Sequence, residues 1–209
     1  MRGLILERPF QNGPAMARPR EFDESEVLEA AVQCFWSRGY EATSVRELAD
    51  RMGLTCASLY NAFGDKRALF RRALETYLAE SRERMAVLER TLAPKVAIAR
   101  YLEGAIDRSL ADRERRGCMM VNCTLEFAPD DDEVRDLVCR QLDTMETFFR
   151  RCIQAGQRDG SIADEVPAEE LARHLLGTLM GLRVLARARP DRKLLEGVVR
   201  PALSLLDRS

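Results

Sequence analysis

VRELADRMGLTCASLYNAF, Val45 to Phe63, is the stretch whose reading decides the fold. Leu48 and Met52 lie four apart, on one side of a first short helix. Gly53 stands where that helix ends, and a left-handed turn there needs no Cβ. Thr55 is placed to cap a second helix, with Leu59, Ala62 and Phe63 on its buried side. Two short helices across so tight a turn make a helix-turn-helix arrangement. Ala49 keeps the crossing of the two helices clear, where a large side chain would obstruct it. The second helix leaves Thr55, Cys56, Ser58, Tyr60 and Asn61 for the outside. Short donors and acceptors with one aromatic form a set suited to the major groove of DNA. The rival reading of the same residues is an ordinary helical hairpin with a solvated face.

Working outward, the flanks narrow the choice. Gly39-Tyr40 precedes the motif, Thr43 and Ser44 open it, Leu59-Tyr60 stands near its end, and Phe63, Gly64, Asp65 and Lys66 follow. With these residues the chain, from about Asp23 to Phe70, resembles the TetR family of bacterial transcriptional regulators. One departure is Ala62, where a branched apolar residue is more usual, and Phe63 is expected to fill that space. The resemblance implies an all-α protein of two parts. An N-terminal three-helix helix-turn-helix DNA-binding domain is followed by a C-terminal helical domain that binds ligand and dimerises. It also implies a homodimer on double-stranded operator DNA, most often a repressor, with a small-molecule effector held among helices four to eight.

Composition sets the outer bounds. The chain has 209 residues, of which 46% are apolar and 32% charged, enough to bury a core and stay soluble. The formal net charge of −1 gives no global basic signal, so a DNA-binding patch must be local. Arg18, Arg20, Arg46, Lys66, Arg67, Arg71 and Arg72 are the candidates for it. The six cysteines fall inside helical patterns without a signal peptide, which points to reduced thiols in a cytoplasmic protein. One histidine and no Cys-x-x-Cys pair argue against a zinc site, and no other cofactor is implied. No apolar run approaches the ~20 residues of a membrane span. An enzyme would need a nucleophile with an oriented base. His174, the single histidine, has no evident partner, and no phosphate-binding glycine loop is present.

Periodicity predicts about nine helices after a flexible arm over 1–22, and the resemblance implies that they divide into a DNA-binding domain over 23–70 and a ligand-binding and dimerisation domain over 71–209. Met16 begins MARPREF and reads as a natural start, and Arg18 and Arg20 suit a minor-groove arm. Asp23 with Glu26 forms a capping box before the first helix. Asp65 opens a long helix, to about Leu92, that both domains share. Pro94, Gly117, the Asp130–Asp132 run, Pro167 and Pro190 mark the later helix starts. Pro201 is expected to kink the last helix.

Candidate site residues follow from these placements. Thr43 and Ser44 sit at a helix N-terminus, which favours phosphate, and Arg46 has the reach for a phosphate or a guanine edge. Thr55, Cys56, Ala57 and Ser58 lie toward the end of the recognition helix that meets bases, with Tyr60, Asn61 and Lys66 toward the backbone. For the effector, the inward stripes offer Tyr77, Met85, Tyr101, Met120, Asn122, Cys123, Glu126, Met145, Phe149 and His174, each of which also reads as plain core. Cys118 follows Gly117 at a helix start near Arg115 and Arg116, a setting that favours a reactive thiolate. Cys118 and Cys123 are therefore redox candidates, although five residues on a helix, about 140°, separate them too far to bridge. Gly177 and Gly181, four apart, make a flat strip, and with Leu182, Leu195 and Val199 they are the expected dimer interface. The alternative function is a helical interaction protein that does not bind DNA.

Overall fold

The computed structural model describes residues 23–126 and 131–207. Arg18, Arg20 and the arm over 1–22 lie outside them. Among the described residues the fold is nine helices and no strand. They are α1 (Glu24–Arg38), α2 (Val45–Met52), α3 (Cys56–Phe63), α4 (Lys66–Thr91), α5 (Pro94–Ala111), α6 (Met119–Glu126), α7 (Asp132–Asp159), α8 (Ala168–Ala188) and α9 (Arg192–Ser204).

The helix starts are chemically explicit. Asp23, Ser44, Thr55, Asp65, Asp131 and Asp191 each accept a hydrogen bond from a backbone N–H in the first turn that follows. Each such cap stabilises its helix by about 1 kcal/mol. At α1 the Asp23 cap is made to Ser25 at 2.8 Å. Pro94 occupies the first turn of α5, where its missing N–H costs nothing. Pro201 lies inside α9, which continues past it to Ser204.

Two aromatic clusters divide the core. Phe35, Tyr40 and Phe70 tie α1 to α4, with Phe35 edge-on to Phe70 at 5.1 Å. Tyr101, Phe148 and Phe149 join α5 to α7 at ring separations of 5.2, 5.9 and 5.4 Å. The Tyr101 hydroxyl is satisfied by Ser81 of α4 at 3.0 Å, both groups being buried. Thus α4 belongs to both clusters, and α7 and α8 pack along each other as the main pair of the C-terminal bundle.

The two halves are also stitched at the surface. The loop after α5 clamps α1. There Trp36 Nε1 donates to the Gly117 carbonyl at 3.1 Å, and the Arg116 guanidinium lies 4.0 Å over the indole. Gly117 must be glycine on two counts: its φ is +77°, and a Cβ would meet the Arg187 side chain at 2.9 Å. On the other side, Arg67 reaches Asp131 at 2.9 Å and Arg71 pairs with Glu133, joining the start of α4 to the start of α7.

Two expectations about faces need correction. Ala62 is exposed, and Leu59 and Phe63, 0% and 5% exposed, form the buried side of α3. Leu182, Leu195 and Val199 are core residues of one chain, 0%, 0% and 4% exposed, so their surfaces are already spent within it. The open face of the α8–α9 pair carries instead Gly177, Gly181, Val184, Leu185, Gly197, Pro201 and Leu205. A Cβ at Gly177, Gly181 or Gly197 would meet nothing within 4 Å.

Candidate nucleic-acid interface

The turn that presents α3 is built from the backbone outward. Gly53 takes the left-handed conformation, φ 64° and ψ 26°, and its N–H caps the carbonyls of Ala49 and Asp50. Leu54 N–H bonds the Ala49 carbonyl at 2.9 Å. Leu48, Ala49 and Leu59 are sealed beneath, all within 2% exposure. Thr55 Oγ1 accepts from the Ser58 N–H at 3.1 Å and lies 2.9 Å from the Ser58 hydroxyl. With its underside fixed, α3 turns Thr55, Cys56, Ala57, Tyr60 and Asn61 to the exterior, and Ser58 is partly covered.

The flanking cations and hydroxyls divide. Ser44 is exposed and accepts from the Glu47 N–H at 3.1 Å, which leaves its O–H able to donate to a phosphate. Arg46 is exposed on the first turn of α2. The Lys66 ammonium rests 4.1 Å over the Tyr40 ring, which fixes its position beside α3. Thr43 is corrected: it is fully buried, and its hydroxyl donates to the Gly39 carbonyl at 2.6 Å. It shapes the approach to α2 and has no surface to offer a phosphate. Arg67, Arg71 and Arg72 also leave the proposed basic patch, because Asp131, Glu133 and Glu24 hold them.

The residues expected around an effector do not meet in one place. Met85, Tyr101, Met120, Cys123, Met145 and Phe149 are core, none more than 5% exposed. His174 points outward from α8, and Glu126 is exposed at the end of α6. Asn122 bridges the Arg116 carbonyl, at 2.9 Å, and Arg187 Nη1, at 2.6 Å. A hollow of about 480 Å³ between α1 and α6 does take in Asn122, Cys123, Glu126 and Arg187. A second, more enclosed cavity of about 230 Å³ is bounded by Trp36, Tyr77, Arg84, Arg108 and Arg183. Of these only Tyr77 was legible beforehand. An arginine at the edge of an apolar stripe reads the same whether it snorkels into solvent or lines a cavity.

Known proteins share this arrangement along nearly the whole chain. Residues 27–73 match the family model of bacterial regulatory proteins of the tetR family, and residues 94–201 match that of the tetracyclin repressor-like C-terminal domain. The HTH-type transcriptional regulator YezE of Bacillus subtilis is 32% identical, over 92% of this chain and 100% of its own length. The chain belongs to the TetR family. It is a helix-turn-helix transcriptional regulator. The repressor ComR of Escherichia coli is 26% identical over 81% of this chain and 82% of its own. A cysteine-substituted form of the regulator CifR, solved with a 26-bp operator duplex, superposes with a TM-score of 0.79 at 35% identity, covering 91% of this chain and 100% of that one.

The two cysteines of this TetR-family chain expected as sensors do not sit as that role requires. Cys118 is 6% exposed, and the Tyr77 hydroxyl donates to its Sγ at 3.5 Å. Arg116 is turned away, paired with Asp112 at 3.0 Å and bonded to Gln33 at 2.6 Å. Burial, then Glu126 and Cys118, pushes the Cys123 thiol up to about 12, against thiolate formation. Cys118 and Cys123, each expected as a redox residue, are both buried, which does not suit that role. Cys56, on the face of α3, and Cys139 are the exposed thiols among the described residues.

Proposed function

We propose that the chain is a homodimeric repressor whose α3 reads operator DNA and whose C-terminal domain releases it on binding a small effector. The observation that carries this reading is the two-sided character of α3. Leu59 and Phe63 are locked into the core, while Thr55, Cys56, Ala57, Tyr60 and Asn61 stand clear beside Ser44, Arg46 and Lys66. The operator-bound CifR structure, in a protein of closely similar fold, supports it. Ser44, Arg46 and Lys66 hold phosphates, and Ala57 and Ser58 set the base preference.

A dimer follows from the operator geometry. Two recognition helices must lie about one DNA turn apart, ~34 Å. The open α8–α9 face, with Gly177 and Gly181 at its centre, pairs with its own copy as a four-helix bundle about a two-fold axis. The functional division falls near residue 70, inside α4, so a movement of that helix reaches both domains. The clamp of Trp36 by Gly117 and Arg116 gives the effector domain a second grip on α1. The site of action is the cytoplasm, with the operator.

A mobility-shift titration tests the reading. Duplexes from the region upstream of the chain's own gene compete against a scrambled duplex of equal length. Preferential, salt-sensitive retardation of the upstream duplex is expected. Equal retardation of both would remove the specific-repressor reading, and no retardation would remove DNA binding altogether.

A further inference from the structure

The enclosed cavity between α1, α4, α5 and α8 has an unusual wall. Three arginines line it, Arg84, Arg108 and Arg183, together with the aromatic side chains of Trp36 and Tyr77. The rings meet edge to face at 5.3 Å. Three carboxylates lie on the same wall, but each is engaged: Glu80 by Arg84 at 3.2 Å, Asp112 by Arg116 at 3.0 Å and Glu29 by Gln33 at 2.7 Å. Among the described residues no carboxylate pairs with Arg108 or Arg183, and the buried Nε of Arg84 has no hydrogen-bond partner.

Arg108 and Arg183 are like charges on one wall with no ion-pair partner among the described residues, an arrangement that is costly until an anion or solvent screens it. Arg108 is exposed by surface area and lines the cavity. Burial first, then Arg183 and Arg84, draw it down to about 10. Its guanidinium lies against Gly104, where a Cβ would come within 3.0 Å of Nη1, so a side chain at 104 would displace it.

We infer that this cavity binds a small organic carboxylate, its anionic head between Arg108 and Arg183 and its apolar body against Trp36 and Tyr77. Two features choose the class. Guanidinium forks match a carboxylate bidentately, and the aromatic wall favours a flat or apolar tail over inorganic phosphate. At about 230 Å³ the cavity lies below the usual range for drug-sized ligands, which restricts it to small molecules. The inference rests on the effector part of the proposed function and names its ligand class. Trp36 belongs to α1 and Gly117 to the clamp that holds it, so occupancy bears directly on the DNA-binding unit.

Trp36 is the only tryptophan in the chain; it lines this cavity and also the hollow between α1 and α6, and the Arg108 and Arg183 variants tell the two sites apart. The full chain is titrated with benzoate, with benzamide as the neutral isostere and with inorganic phosphate. Benzoate is expected to change the emission saturably, with benzamide and phosphate each weaker by roughly tenfold or more. Arg108→Gln and Arg183→Gln should each weaken benzoate by roughly tenfold, leaving benzamide binding unchanged and the melting temperature no lower than that of the parent. Arg183→Lys, which keeps the charge, should recover part of the loss. Four outcomes overturn the inference: no saturable response to benzoate, equal binding of benzamide, equal binding of phosphate, or unchanged benzoate binding in both glutamine variants. Operator binding of the ligand-free protein is measured alongside. Its absence would refute the regulator reading, whereas intact operator binding with an unresponsive Trp36 would refute this site alone.

Discussion

Glycine stands at the centre of two regions for opposite reasons. In the α2–α3 turn, Gly53 is needed for its backbone: φ is +64°, and its N–H caps the carbonyls of Ala49 and Asp50. On α8, Gly177 and Gly181 are ordinary helical residues with empty space where a side chain would be. Glycine inside a helix costs about 1 kcal/mol relative to alanine, and no close contact among the described residues offsets that. The first kind of glycine answers to its own chain, and the second answers to a surface that approaches from outside.

Substitution separates the two kinds. The largest effect is expected from Gly181→Arg, whose Cβ would meet nothing within 4 Å among the described residues. Its circular dichroism should match that of the parent, while sedimentation shows a monomer and operator binding is lost. A stable dimer with full DNA affinity would place the interface on another face.

At the turn the effect is on folding. Gly53→Ala adds only a methyl with no neighbour within 4 Å, so any cost comes from the left-handed backbone. About 1–2 kcal/mol of stability should be lost, seen as a lower denaturation midpoint. An unchanged midpoint would mean that the turn relaxes to another conformation.

The ion pairs joining α4 to α7 allow a finer test. Burial works to raise the Asp131 carboxyl, but the Val134 N–H, Arg67 and the Glu133 N–H outweigh it and hold the group below the usual carboxylate range. A carboxyl depressed on folding contributes stability above its unfolded pKa, lost as pH falls through the folded one. The contribution should be present at neutral pH and disappear below about pH 4. Asp131→Asn should flatten that part of the acid denaturation curve, and a variant that keeps the full slope would assign the acid sensitivity elsewhere.

Thiol labelling gives the smallest perturbation. A maleimide should modify Cys56 and Cys139 first, as both are exposed, and Cys123 and Cys152 last, since burial raises each thiol to about 12. Operator DNA should protect Cys56 and leave Cys139 unchanged. Protection of both, or of neither, would contradict the placement of α3 on the duplex.

The same contrast explains what was legible in the sequence. The helix starts were readable because Asp23, Thr55 and Asp65 act on backbone within three residues of themselves. Gly53 was readable for the same reason. Thr43 misled because a threonine ahead of a helix serves equally well as a phosphate donor or as a buried bond to the preceding turn. Only the packing of the 39–43 segment decides for the Gly39 carbonyl. In the C-terminal bundle the apolar stripes carry no label for core, cavity or partner. Met85, Met145 and Phe149 went to the core, His174 to the surface, and the cavity drew on Arg108 and Arg183, two charged residues outside those stripes.

The most direct test compares two residues that flank the recognition helix and differ in exposure to DNA. Lys66 stands over Tyr40 beside α3, and Thr43 is sealed beneath α2. Operator affinity is measured by fluorescence anisotropy across a salt series for the parent, Lys66→Ala and Thr43→Val. Lys66→Ala should weaken binding and reduce the slope of log affinity against log salt by about one unit. Thr43→Val, if folded, should keep the parent slope. A slope unchanged by Lys66→Ala but reduced by Thr43→Val would contradict this placement of the DNA.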